Sequence, residues 1–241
     1  MKTEKLIGTL LILGAVGVFV PYTILTMTFN YPDILRLESG EILKQFHQGG
    51  SSLIFTWLAF ALLGLPLLIA YSLLGQLIEQ RGHNISWVTS IGIISGVVQI
   101  VGLLRWVFVV PVLATAFVNA KDASSQEAIK IVFQAVHQFG GVLLGEHLGQ
   151  LFTVIWTVFI SIALLKLKLL PKWLAFFGYT ASFIYILAQA ELFATVVPGF
   201  PMIEIAGFVG STLWLVWLIL VGVTFLKRSR KEPVSLNRVY R

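Results

Sequence analysis

Six stretches of this chain are each long and apolar enough to cross a membrane: Leu6–Thr28, Ser51–Ile78, Trp87–Val118, Gly140–Leu165, Trp173–Val197 and Ile203–Leu226. A helical crossing takes about 20 apolar residues at about 1.5 Å each. Lipid offers no partner for peptide N–H and C=O groups, so a span must satisfy them within itself, and none of the six shows the alternation of a strand. The sequence therefore predicts an all-α integral membrane protein, a six-transmembrane-helix bundle. Composition agrees. Of 241 residues, 57% are hydrophobic and 12% charged, against ~25% charged in soluble domains. That excludes soluble enzymes and disordered chains, and the lack of cysteine excludes a disulfide scaffold.

Lys2, Glu4 and Lys5 precede the first stretch as they would a signal peptide. Its apolar run is too long and no small-residue cleavage site follows, so it is expected to stay as the first helix. Lys and Arg in alternate connections give the orientation. Lys2, Lys5, Arg81, Lys166, Lys168, Lys172 and six in the tail fall on one side, twelve in all, against Arg36, Lys44, Lys121 and Lys130 on the other. Both termini are expected in the cytoplasm, with residues 1–226 as the membrane domain and 227–241 as a flexible basic tail. The tail supplies most of the net charge of +6, so the charge reads as a topology signal and a surface for anionic headgroups, with no nucleic acid partner.

The outer connections carry two short amphipathic helices. Glu41–Phe46 places its apolar residues on one face. Ala128, Ile129, Val132, Phe133 and Val136 form a helical stripe behind Ser124 and Glu127, which have capping-box spacing. Both are expected to lie on the outer surface or to roof the bundle.

Charges inside spans cost about 2.5–3.5 kcal/mol each on the insertion scale, so they are seldom idle. Arg105 lies 18 residues beyond Trp87, Glu146 lies 20 before Lys166, and Glu191 lies 18 beyond Trp173. At the helical rise these are depths of about 27 to 30 Å. Three charges on three helices thus reach one level near the outer edge of the hydrocarbon. The expectation is that Arg105 pairs with Glu146, Glu191 or both, with His147 beside them. Glu146, Gln150, Thr153, Thr157 and Ser161 follow a helical spacing that turns one polar face into the bundle. Gly141, Gly145 and Gly149 form a small-residue ladder for close approach of a neighbour. Ser182, Tyr185 and Gln189 share a face of the fifth helix, from which Glu191 points away. Pro21, Pro66 and Pro111 predict bends that open a cavity, with Tyr22 at its level.

His47, His137 and His147 raise a haem b site as a less favoured reading: the last two stand about 15 Å apart along one helix and cannot share an iron, so His47 would have to partner one of them. There is no zinc-protease motif or phosphate loop, and no lysine deep in a span for a retinal. No cofactor and no metal is expected. The bland alternative is an ion pair that only fixes helix order.

The runs Tyr31–Leu37, Leu104–Pro111, Gly145–Thr153, Leu170–Leu174 and Gly210–Trp217, in this order, resemble a bacterial multi-spanning membrane family catalogued as domain of unknown function 4386. The resemblance covers roughly Leu6 to Leu226. It implies a helical protein of the bacterial inner membrane and brings no activity, substrate or cofactor. The residues themselves favour binding, sensing or transport of a small amphiphilic or lipid-like molecule in a cavity near the outer face. Arg105, Glu146, His147, Gln150, Glu191 and Tyr22 are its candidate polar residues. A homodimer would make up for a chain small for a transporter. The alternatives are an intramembrane enzyme using Glu146 or His147 as acid or base on a lipid headgroup, and a structural or regulatory subunit.

Overall fold

The computed structural model describes residues 2–231 and is all-helical. Among the described residues, six helical segments are long and apolar enough to cross a membrane. The first is α1 (Lys2–Phe29) and the last α10 (Ala206–Lys231). Between them, α2 (Ser39–Leu62) with α3 (Leu65–Glu79) make the second crossing, and α4 (Ser86–Phe108) with α5 (Val110–Asn119) the third. The fourth is α6 (Ala123–Val136), a π-helix (His137–Leu148) and α7 (Gly149–Lys166). The fifth is α8 (Lys172–Leu187) with α9 (Gln189–Ala194).

Each crossing packs against the one before and the one after it, and α10 closes the ring on α1. Short connections make sequential helices antiparallel neighbours, so an even number of crossings returns the chain to its starting end. Gly8 accordingly lies against Gly222 and Leu226. Arg81 binds Glu4 at 2.9 Å and the Arg228 guanidinium donates to the Lys168 carbonyl at 3.2 Å, which gathers the Lys/Arg-rich connections at this terminal end.

The ring is filled at the terminal end and hollow at the other. Leu11, Tyr71, Trp156, Ile160, Trp217 and Phe225 belong to one buried cluster there. Tyr71 and Trp156 have ring centroids 4.0 Å apart, and Trp217 donates its indole N–H to the Leu174 carbonyl at 3.0 Å. A second cluster joins the first three crossings and α6 of the fourth through Phe29, Phe46, Trp57, Trp106 and Phe133, with Trp57 and Trp106 stacked at 4.8 Å. Large apolar side chains such as Leu13, Phe55, Phe108, Phe176 and Phe183 stand exposed on the outside of the ring. In water that surface would drive association; against acyl chains it costs nothing.

Several local expectations change. Pro66 and Pro111 sit in the first turns of α3 and α5, so each restarts a helix after a break where an N–H is dispensable. α1 runs unbroken through Pro21. Glu41–Phe46 lies on the part of α2 that a kink at Gly50 (φ 55°) sets off from the rest, and its Ile42, Leu43 and Phe46 are buried. α6 runs on into the fourth crossing, and of its stripe Phe133 alone is buried. Its cap is Asp122, which accepts from the Ser125 amide at 2.8 Å, while Glu127 of the expected capping box pairs with Lys130 at 2.7 Å. α10 stays helical through Lys227–Lys231, the start of the expected flexible tail; the rest of that tail, 232–241, lies outside the described residues.

Candidate functional site

A cavity of about 550 Å³ occupies the hollow half of the ring. Its walls come from α1 (Tyr22), the α2–α3 break (Gly64), α3 (Leu67, Leu68), α4 (Gln99, Arg105), the π-helix (Glu146) and α10 (Phe208, Leu215). Tyr71 lines its deep end, where the terminal-end cluster begins. Arg36, Asp33, Glu191 and Glu204 line it from the opposite end.

The glycine ladder is what sets Arg105 in place. Gly102 of α4 meets Gly145 so closely that a Cβ added there would lie 2.7 Å from the Gly145 Cα. One turn to either side, Gly149 accommodates Gln99 and Gly141 accommodates the Arg105 guanidinium. Only hydrogen side chains allow two backbones this near. The side chain of Arg105 is 8% exposed. Its Nη1 donates to the Gly102 carbonyl at 2.5 Å, its Nη2 meets His137 Nδ1 at 3.5 Å, and its charge lies 5.2 Å from the Trp106 ring. Its Nε has no partner among the described residues.

The expected ion pair does not form. Among the described residues no carboxylate lies within ion-pairing distance of Arg105. Glu191 binds Arg36 instead, at 2.8 Å, and Arg36 also pairs with Asp33. The fifth crossing breaks at Ala188, so Glu191 on α9 is delivered to the α1–α2 connection. Burial works against the Arg36 charge, but Glu191 and Asp33 outweigh it and raise its pKa above the ordinary value. Burial also pushes the Tyr31 phenol, beside Tyr22, well up from its ordinary value.

Glu146 lines the cavity, half-buried, without an ion-pair partner among the described residues. Gln150 lines it too and accepts from the Gln189 amide at 2.7 Å. His147 does not reach it: its Nδ1 meets Gln189 Oε1 at 2.5 Å, behind the wall. The i→i+5 bonding of the π-helix widens each turn, which shifts side-chain directions from those α-helical spacing assigns. Beyond it the polar stripe holds, with Thr153, Thr157 and Ser161 buried. Tyr22 faces the cavity and stacks on Phe208, centroids 6.5 Å apart.

Four participants in or beside the site carry no such role in the sequence reading: Ser95, Gln99, Arg36 and His137. Ser95 and Gln99 bond to Thr153 at 2.7 and 3.0 Å, and Ser95 also donates to the Gly149 carbonyl at 2.9 Å. With Gly102 and Arg105 they follow the spacing i, i+4, i+7, i+10, a signal present on the third span. In the sequence Arg36 reads as a topology charge and His137 as a haem candidate. Trp57, Trp156 and Trp217 are packing residues, while Trp214 lines the cavity and donates to Thr157 at 3.0 Å.

Residues 6–222 match the family described as Domain of unknown function (DUF4386), and the chain belongs to that family. Neither a curated protein nor a solved structure matches it.

Proposed function

We propose that this protein binds a small amphiphilic or lipid-like molecule in the hollow half of its helix ring, as a carrier or sensor. The carrying observation is the cavity: about 550 Å³, within the range of about 300–1,000 Å³ of small-molecule sites. Its walls are largely apolar, with Arg105, Glu146, Gln150 and Tyr22 among the polar groups inside and Arg36, Asp33, Glu191 and Glu204 at the mouth. Phe19 and Phe208 both line the cavity and are about half exposed, and an apolar lining of this kind suits an occupant drawn from the bilayer. The packed terminal end argues against a continuous pore. The imbalance of Lys and Arg supports cytoplasmic termini, a bacterial inner-membrane location and a mouth on the outer side. Glu191 acts at the mouth through Arg36, and His147 positions Gln150 through Gln189.

Native mass spectrometry of the detergent-purified protein tests this reading. A lipid or metabolite should be retained and should be lost in Gly207→Leu. That glycine lines the cavity, and a Cβ there meets only Ala188 at 3.8 Å, so the leucine grows into free space. Retention unchanged by this variant would overturn the reading.

Glu146 facing the cavity without an ion-pair partner favours a second reading, acid–base chemistry on a lipid headgroup. It requires headgroup turnover by the purified protein that Glu146→Gln abolishes.

A further inference from the structure

We propose that the occupant is a single-chain amphiphile with an anionic head, carboxylate or phosphate, whose charge is taken by Arg105. This rests on the binding reading above and adds the head-group class and the orientation.

The charge inventory of the cavity carries the argument. Arg36 is committed to Asp33 and Glu191. Arg105 is committed to no anion: its described partners are a peptide carbonyl, a histidine nitrogen and the face of an indole, all neutral or weakly polar acceptors. A guanidinium has five N–H donors and does not give up its proton in proteins, so it cannot escape burial by becoming neutral. Glu146 and Glu204 also line the cavity. Glu204 is exposed near the mouth, where water solvates it. The half-buried Glu146 carboxyl, unlike a guanidinium, can take up a proton and then donate a hydrogen bond to a bound oxyanion. The cation is therefore the group that has no ion-pair partner among the described residues and cannot neutralise itself by losing a proton.

The shape of the cavity orients the rest of the ligand. Arg105 lies in the last turn of α4, toward the mouth. Leu67, Leu68 and Leu215 line the cavity along with it, and the aromatic floor at Tyr71 closes the deep end. An acyl chain laid along them points toward the centre of the ring with its head at the Arg105 level, the attitude of a lipid in the leaflet nearest the mouth. One alkyl chain with its head suits about 550 Å³, a volume typical of sites for one small ligand. A second chain would have to remain outside.

The test uses four probes with the same hexadecyl chain: palmitate, hexadecyl phosphate, hexadecanol and hexadecylamine. Each competes with a fluorescent fatty alcohol on the full-length protein in neutral detergent. Palmitate, hexadecyl phosphate or both should bind about tenfold or more tighter than hexadecanol, the scale of one charge-assisted contact. Whichever anion leads identifies the head as carboxylate or phosphate. Arg105→Gln should reduce the anions to the level of the alcohol without weakening the alcohol, and Arg105→Lys should restore part of the preference. If Arg105→Gln does not fold, the wild-type series still decides. Equal binding of all four probes, each weakened by Gly207→Leu, overturns the head-group assignment and leaves the cavity reading standing. Tightest binding of the amine overturns it in favour of the carboxylates. Probe binding that is absent, or indifferent to Gly207→Leu, overturns both.

Discussion

Arg36 and Glu191 stand 155 residues apart in the chain and meet at 2.8 Å, tying the short helical turn after α1 to α9 beside the mouth of the cavity. Both side chains are about a third exposed, so the pair belongs with partly solvated ion pairs worth about 0.2–1 kcal/mol. A double-mutant cycle of Arg36→Ala and Glu191→Ala on thermal stability should give a coupling in that range, falling as salt rises. A coupling that persists undiminished in molar salt would mean that the pair is drier than its exposure implies.

Contact between α4 and the π-helix depends on having no side chain at Gly102. Gly102→Val should destabilise by about 1–3 kcal/mol, because the added carbons meet the Gly145 backbone rather than a side chain that can turn away. Gly64→Ala, whose Cβ would find its nearest neighbours at 3.6 Å, should be close to neutral. Thermal melts of the two variants decide. Equal effects would show that the helices can separate without cost.

Gln189 bridges His147 and Gln150. Gln189→Leu leaves both without that partner in a largely dry place, at a cost of about 1–3 kcal/mol. Adding Gln150→Leu should recover part of the loss, because an apolar pair no longer strands a polar group. Strictly additive losses would disprove the chain of contacts.

Trp57 fills the space beneath the bent start of α2, stacked on Trp106, and its indole N–H has no partner among the described residues. Its contribution is therefore volume. Trp57→Ala should cost about 3–5 kcal/mol, and Trp57→Phe much less. A severe loss in the phenylalanine variant as well would point to an unseen role for the indole nitrogen.

At the start of α2, slight burial pulls the Glu38 carboxyl upward. The hydrogen bonds from Lys130 and the Gly40 amide outweigh it and hold the pKa below its ordinary value. A carboxylate with a folded pKa below its unfolded one stabilises above the unfolded value and loses that contribution as pH falls through the folded one. The unfolded value is about 4.3. The melting-temperature advantage of wild type over Glu38→Gln should thus be full at neutral pH and vanish on acidification below about pH 4. An advantage that grows in acid contradicts the sign.

The candidate site was legible in part, and the reason differs residue by residue. Counting along helices put Arg105, Glu146 and Glu191 at one level, and all three line one cavity. Counting assumes a constant 3.6-residue turn. It therefore misdirected His147, which follows ten residues of π-helix, and it could not see the break at Ala188 that sends Glu191 to Arg36. The polar stripe from Gln150 to Ser161 lies beyond the π-helix, and there the count held.

Crossing number, helical content and the shared end of both termini followed from the sequence alone. Each depends on a sum over some twenty residues against the thickness of a bilayer, and no single contact can reverse such a sum. Which charge meets which depended on the tertiary structure. Ion pairing is settled within about 4 Å, and one widened turn or one break moves a side chain farther than that. The solitary buried guanidinium could be seen only once the ring had closed around it.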